Sequence, residues 1–164
     1  MKKLLPGFSV FCFSVFVFLV ISSCQPSENN KPEEVLQRFG SGEISRRHYE
    51  INGKIEGLMT DYYPGGKVRA RRHFKNGIQT GKTVFYYPDG RIKETQFFNE
   101  DGLKEGGDST FYENGNLQMV IEFHLGQKNG YVRKWSETGE LVFEAKYEME
   151  KLVEANGKPV KQEN

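Results

Sequence analysis

Residues 57–90 decide the fold, and they read GLMTDYYPGGKVRARRHFKNGIQTGKTVFYYPDG. In this stretch Gly57 and Gly81 lie 24 residues apart, and each is followed five places later by an aromatic residue, Tyr62 or Tyr86. Further along the chain the same pattern begins twice more, after steps of 25 and 24 residues. A fixed period of this length is typical of repeat architectures, in which each unit buries its apolar surface against its neighbours.

Four units share five equivalent positions. The single extra residue of the second unit falls in the turn at residues 99–102, where insertions are tolerated. A half unit with the same spacing precedes the first, at residues 42–53. In order, the shared positions are an opening glycine (Gly57, Gly81, Gly106, Gly130), an aromatic residue (Tyr62, Tyr86, Phe111, Trp135), a second glycine (Gly66, Gly90, Gly115, Gly139), an aliphatic residue (Val68, Ile92, Leu117, Leu141) and a closing aromatic residue (Phe74, Phe98, Phe123, Tyr147).

Turn chemistry indicates what each unit is. Residues 63–66 and 87–90 place Pro second and Gly fourth, which suits a type I turn whose last residue has positive φ and closes a hairpin. Asn76-Gly77 and Asp101-Gly102 are signals for the return turns between hairpins. The sequence therefore predicts an all-β fold, an elongated single-layer antiparallel meander of β-hairpins with a repeat of about 24 residues.

Alternation along the second strand of each hairpin predicts the faces of the sheet. Val68, Ala70 and Phe74 fall on one apolar side, which Arg72 interrupts, so we expect a thin, partly open core. The aromatic residues at the Tyr62 position are expected to join this side. Their neighbours Tyr63, Tyr87 and Tyr112 are then expected to form a row on the opposite face.

The combined spacing Gly-x4-[Tyr/Phe/Trp]-x3-Gly-x-[Val/Ile/Leu]-x5-[Phe/Tyr] resembles the bacterial variant of the MORN repeat, as in the YwqK-type antitoxin-labelled family. The resemblance covers about residues 42–152, most of the chain that follows the apolar start. It implies an elongated sheet of hairpins of a kind often involved in protein association. It implies no catalytic residue.

The first 23 residues have the order of an export signal. Lys2 and Lys3 precede an apolar run from Leu4 to Ile21, and small residues lead to Cys24. This arrangement resembles the lipoprotein signal, in which the cysteine sulfur receives a diacylglycerol and the freed amine a further acyl chain. The alternative is a plain signal anchor in which Cys24 has no role. The resemblance implies lipidation at Cys24.

This signal predicts the location of the protein in the cell and, together with the repeat, its domain organisation. We expect a lipid-anchored protein of the bacterial cell envelope, at the outer membrane and facing the periplasm or the cell surface. Residues 1–23 would be the signal peptide, 24–41 a polar tether, 42–152 the hairpin repeats and 153–164 a loose tail. Pro32 and the acidic residues after it favour one or two helical turns at residues 32–39.

Composition excludes several classes of function. There are 23 Lys and Arg against 22 Asp and Glu, so the chain lacks the basic excess of a nucleic-acid-binding protein. Three scattered His and two Cys leave no recognisable metal-ligand or nucleophile–base set. We therefore predict a protein that is not an enzyme and has no catalytic residues, no metal and no cofactor.

Two surface features are candidate interfaces. The first is a basic stripe on one strand, which the alternative explanation treats as a solvated face that discourages edge aggregation. The second is the tyrosine row, which would either receive a partner or pack between strands. The stripe comprises Lys67, Arg69, Arg71, His73 and Lys75, and the row comprises Tyr63, Tyr87 and Tyr112.

The function we expect is a membrane-anchored lipoprotein whose repeat sheet is a protein-interaction or scaffold module. Its protein partner is unidentified, and self-association through an unpaired edge or face is a further possibility. Two alternatives stay open: an antitoxin-like protein that neutralises a partner toxin, and a module that binds a cell-wall glycan.

Overall fold

The computed structural model describes residues 31–160, which form one twelve-stranded antiparallel sheet. No helix occurs within these residues, and so none is long and apolar enough to cross a membrane. In chain order the strands are β1 (Glu33–Arg38), β2 (Ile44–Ile51), β3 (Lys54–Tyr62), β4 (Val68–Lys75), β5 (Ile78–Tyr86), β6 (Ile92–Phe98), β7 (Gly106–Phe111), β8 (Leu117–His124), β9 (Gln127–Trp135), β10 (Leu141–Glu148), β11 (Lys151–Ala155) and β12 (Lys158–Pro159).

Each strand pairs with the strands next to it in sequence, so the sheet is the predicted meander of hairpins. The turn after β3 shows why. The Gly66 N–H donates to the Tyr63 carbonyl (3.1 Å) and the Tyr63 N–H donates to the Lys67 carbonyl (2.8 Å). Gly66 has φ +80°, a conformation that glycine adopts without a steric cost. The same pair of hydrogen bonds recurs at residues 87–91, 112–116 and 136–140.

The return turns come in two forms. Asn76 and Gly77 both have positive φ (52° and 83°), the two-residue turn whose twist matches that of the flanking strands. At residues 99–103 the Asn99 N–H instead donates to the Leu103 carbonyl (2.9 Å), and the Gly102 N–H to the Asn99 carbonyl (3.1 Å). This turn therefore absorbs the extra residue of the second unit by adopting the longer hairpin geometry.

A β-bulge recurs beside each of the turns that close β3–β4, β5–β6, β7–β8 and β9–β10. In the first, Asp61 pairs with Ala70 but Tyr62 pairs with Val68, which leaves Arg69 as the extra residue. Two residues then oppose one on the partner strand, and alternation is interrupted. The equivalent extra residues are Lys93, Gln118 and Val142.

The bulge corrects the predicted assignment of side chains to faces. We call the face that carries Asp61, Ala70 and Phe85 the cavity face. By alternation along β3, Tyr62 lies on the opposite face, and Tyr63 lies on the cavity face, where it lines a cavity with Phe85. The expectation that Tyr63, Tyr87 and Tyr112 lie opposite the core residues is wrong, because the bulge breaks strict alternation between Val68 and Ala70.

The interior is thin and largely polar. The buried apolar side chains of the described residues are Met59, Ala70, Val132 and Ala145. The buried polar or charged side chains are His48, Thr60, Asp61, Thr80, Thr83, Thr95 and Asp108. A single layer has no second sheet to cover it, and the predicted thin core is confirmed.

The ends of the sheet extend beyond the predicted repeats. The helical turns favoured at residues 32–39 are wrong: Glu33–Arg38 forms β1, paired with β2. The free edge of β2 offers unpaired backbone groups, and pairing with them outweighs a weak local helix preference. The second half of the expected tether is therefore sheet, and β11 and β12 carry the sheet into the expected tail. The predicted signal at 1–23 and Cys24 lie outside the described residues.

Candidate interaction site

A buried carboxylate organises the cavity face near its N-terminal end. Asp61, on β3, is 1% exposed. Its Oδ1 lies 2.6 Å from Arg46 Nε on β2, and its Oδ2 lies 2.8 Å from Arg72 Nη2 on β4. Arg69 Nη2 lies 3.6 Å from Oδ2. The two strands that flank β3 thus bring three guanidinium groups to one carboxylate.

The charges at this point do not balance. One negative charge faces three positive charges, and each guanidinium carries five N–H donors in a planar fork. The Asp61 carboxylate occupies only part of that capacity. Its own Oδ2 is buried and has no aligned hydrogen-bond donor, although Arg72 is near. The arrangement therefore retains free N–H donors on the guanidinium groups.

Two adjoining cavities open above these groups. The first, about 300 Å³, is lined by residues that include Phe39, Arg46, Asp61, Tyr63 and Arg69. The second, about 350 Å³, is lined by residues that include Tyr63, Arg69, Arg72, Phe85, Lys93 and Glu94. Because Tyr63 and Arg69 line both, the cavities form one surface, which we call the arginine groove.

A third cavity lies on the cavity face of the C-terminal units. It has about 310 Å³ and is lined by Thr110, Tyr112, Gln118, Met119, Lys134, Trp135 and Val142. Lys134 is its one charged lining residue, and its ammonium lies 5.8 Å from the centre of the Phe143 ring. The lining of this cavity is therefore mostly neutral, whereas that of the arginine groove is charged.

The tyrosine row links consecutive units. The hydroxyl of Tyr63 donates to the Tyr86 carbonyl (2.8 Å), that of Tyr87 to the Phe111 carbonyl (2.7 Å) and that of Tyr112 to the Trp135 carbonyl (2.8 Å). Burial, together with the carboxylates of Glu113 and Asp89, raises the pKa of Tyr87, so its hydroxyl stays a donor. The rings are half-buried. These residues therefore make contacts between strands, as the packing alternative predicts. Their role as an interface stays a prediction.

The basic stripe divides between the two faces. Arg69, displaced by the bulge, lies beside Asp61 on the cavity face. Arg71 and Lys75 alternate with the buried Ala70 and point away from it. The Lys75 ammonium lies 2.7 Å from Glu100 Oε2, and this hydrogen bond raises the pKa of Lys75. Lys67 is an exposed turn residue. The stripe residues thus do not form one row, and the part of Lys67, Arg69, Arg71 and Lys75 in binding stays a prediction.

Sequence reasoning missed Arg46, Asp61 and Arg72 as site residues. The available signal was Arg72, an arginine on an otherwise apolar side. Its significance depends on Asp61, whose cross-strand neighbours follow only from the register of β3 against β2 and β4.

The histidines lie in separate contacts. His48 Nε2 is 3.0 Å from Glu50 Oε1, and His124 Nδ1 is 2.9 Å from Glu105 Oε1. Within residues 31–160 no group of three His, Cys, Asp or Glu side chains is placed to hold a metal ion.

Repeated hairpins in one open sheet define a β-repeat protein, of a form that fits an interaction or scaffold module. Two of its units match a known repeat family: residues 55–76 and 79–100 are each similar to the family described as MORN repeat variant. These segments contain all but the first residue of β3–β4 and of β5–β6, the two hairpins that carry most of the arginine groove. No curated protein matches the chain.

Proposed function

We propose that this chain is a lipid-anchored protein of the bacterial cell envelope whose repeat sheet holds a protein partner on the cavity face. The observation that carries the binding part is the arginine groove, where three guanidinium groups surround a single buried carboxylate. Such a cluster has donors in excess of its internal acceptors, and an interface partner would use them.

The scaffold suits such a role because the backbone is held by contacts that do not involve the charged side chains of the groove. The repeated turns and the tyrosine hydrogen bonds fix each unit against the next. Side chains on the cavity face differ from unit to unit on this constant frame. A partner would then be recognised by burial and charge pairing, without covalent chemistry.

The membrane part of the proposal rests on Cys24 and its flanking sequence. Two or more acyl chains at Cys24 would give stable anchoring, since each buried methylene adds about 0.8 kcal/mol. Cys24→Ala is expected to abolish labelling by a fatty-acid analogue and to release the protein from membranes. Cys12→Ala is the matched control and is expected to keep both. A Cys24→Ala variant that is still labelled would contradict the anchor.

The interaction part is tested by crosslinking in cells. A photo-crosslinking amino acid replaces Lys93, on the cavity face, or Lys82, which lies over the Phe97 ring on the opposite face. We expect one dominant adduct from position 93 and none from 82, with mass spectrometry identifying the partner. Equal adducts from both positions, or adducts only between copies of this chain, would contradict a module for a separate partner.

A further inference from the structure

We propose that β1, the free edge strand, pairs with β1 of a second copy of this chain, antiparallel and centred on Leu36. This inference goes beyond the proposed function, because it concerns the edge of the sheet and does not depend on what the cavity face holds. It assigns an occupant, a register and a symmetry to one edge of the molecule, none of which follows from the repeat.

The two edges of the sheet differ in how they are protected. At the C-terminal edge, β12 has two residues, Lys158 and Pro159, and proline has no N–H to offer a further strand. At the N-terminal edge, β1 is a strand of six residues without proline or glycine. Within the described residues β1 pairs with β2, and no strand lies on its other side. Unpaired backbone groups along a strand of this length are a template for another strand.

Alternate residues of β1 divide between the two faces of the sheet. Gln37 is opposite Arg46, which contacts Asp61, so Gln37 lies on the cavity face. The residues at even positions, Glu34, Leu36 and Arg38, therefore lie in a row on the opposite face. Leu36, at the centre, is 37% exposed. An acidic and a basic residue thus flank an exposed leucine at equal distances along one strand.

This row is self-complementary in an antiparallel pair. With Leu36 opposite its own symmetry mate, Glu34 of each copy faces Arg38 of the other, which gives two pairs of opposite charge. Side chains directly opposite each other have Cβ atoms about 4.5–5.5 Å apart, within reach of a charge-assisted hydrogen bond. Arg47 and Tyr49 of the same chain both contact Glu34 Oε1, which leaves Oε2 for the second copy.

Other registers lack these charge pairs. A two-fold antiparallel pair has one residue opposite itself, because the axis passes between the two strands at that point. Centred on Val35, the pair would set Glu34 opposite Leu36. Centred on Gln37, it would set Leu36 opposite Arg38. Centred on Glu34 or on Arg38, it would bring like charges together. The register at Leu36 is therefore the one in which the charged and the apolar side chains both match.

The symmetry of the pair places the two arginine grooves on one face. The axis is normal to the sheet, so the cavity faces of the two copies lie on the same side. The arginine groove begins beside β1, where Gln37 and Phe39 line its first cavity. Two grooves would therefore lie on a continuous face, one on each side of the axis. A partner with two matching segments would engage both and gain apparent affinity.

The contact is small for a permanent dimer, because two strands of six residues bury less than the about 1,200 Å² of stable interfaces. We therefore expect a reversible association, and a covalent trap in cells that express the full chain is the suitable test. Leu36→Cys sets two thiols opposite each other across the axis, close enough for a disulfide. Copper phenanthroline is added as the oxidant, and dimer is measured on non-reducing gels.

Leu58→Cys is the matched control. Leu58 is 39% exposed and lies on the same face, on β3, two strands in from the edge. We expect about tenfold more disulfide-linked dimer from Leu36→Cys than from Leu58→Cys. The control should stay at the level of the wild type, which has its native Cys12 and Cys24. Equal dimer from the two variants, or none above the wild type, would overturn the proposal.

Charge substitutions test the register in the Leu36→Cys background. Arg38→Glu brings two pairs of like charges together and is expected to reduce trapping about tenfold, whereas Arg38→Lys should keep it. Lys151→Glu makes the same change of charge on β11, at the far end of the sheet, and is expected to change trapping by less than about twofold. Equal loss in Arg38→Glu and Lys151→Glu would overturn the register.

A strand from another protein is the competing occupant of this edge. A disulfide from Leu36→Cys to another protein, with no dimer of this chain, would overturn the second copy in favour of that strand. The outcome is separable from that of the proposed function. Lys93 lies on β6, five strands from this edge, so a separate partner crosslinked there is compatible with either result.

Discussion

The hairpins β3–β4 and β9–β10 have the same backbone plan and different interiors. In each, a turn with a glycine at positive φ is followed by a one-residue bulge, and the opening glycine pairs with the closing aromatic residue. In β3–β4 the equivalent central pair is Met59 and Arg72, beside the buried Asp61. In β9–β10 it is Val132 and Ala145, with no buried carboxylate beside it.

The comparison separates positions that specify the fold from positions that are free to carry function. The glycines, the turns and the inter-unit tyrosine hydrogen bonds recur from unit to unit, although the interior changes from charged to apolar. In an ordinary two-layer protein a buried arginine cluster of this kind would be costly. A single layer leaves Arg46 and Arg69 partly in water, so the N-terminal units tolerate the charges.

The largest expected effect comes from removing the carboxylate of the charged hairpin. Asp61→Ala leaves three guanidinium groups without their shared counterion and should lower the free energy of unfolding by about 3 kcal/mol. Val132→Ala, in the apolar hairpin, should cost about 1–2 kcal/mol for the lost methyl groups. Chemical denaturation measures both. Equal costs would mean that the charge cluster does not differ energetically from apolar packing.

The second largest effect is expected from substituting the turn glycines. The loss of stability should be the same in the N-terminal and the C-terminal units. Gly90→Val and Gly139→Val each place a β-branched residue at φ of +95° or +90°, with an expected loss of about 1–3 kcal/mol. Lys82→Ala is the control, because its exposed side chain contributes little. Melting temperatures of the two valine variants that match the control would refute the turn assignment.

A smaller effect is expected from the tyrosine hydroxyls. Tyr63→Phe and Tyr112→Phe each remove one hydrogen bond to the following unit, with an expected loss of about 1 kcal/mol. The two losses should agree, since both bonds have the same geometry in the charged and apolar regions. A loss confined to one variant would show that the units are not mechanically equivalent.

The smallest expected effect is on the pH dependence of stability, and it comes from Glu105, which directly precedes β7. The Leu125 backbone N–H, and then His124, hold the pKa of Glu105 below its usual 4.5. A lowered folded-state pKa stabilises the protein above the unfolded value, and this contribution is lost as pH falls through the folded value. Between about pH 5 and 3 the wild type should therefore lose more stability than Glu105→Gln. Parallel pH profiles would exclude the contact.

How far the sequence predicts this molecule depends on whether a feature is local. The hairpins follow from Pro64, the turn glycines and a constant period, all of which act within a few residues. The bulge at Arg69 does not, because the spacing of the repeat is the same with or without it. Its displacement of Arg69 onto the cavity face, and the burial of Asp61 between two neighbouring strands, emerge only from the pairing register.

The pairing of every strand with its neighbour in sequence also sets how the chain folds. Contact order is low for a β protein, since no strand waits for a distant segment to arrive, and folding is expected to be correspondingly fast. Assembly would proceed as a one-dimensional zipper from whichever hairpin nucleates first. Between β6 and β7 the ladder joins two residue pairs, Glu94 with Thr110 and Thr95 with Ser109, and one separate bridge pairs Phe98 with Lys104. Cooperativity would first fail at that junction. Strands β1–β6, which carry the charge cluster, and strands β7–β12 would then unfold as separate cooperative units under mild denaturation.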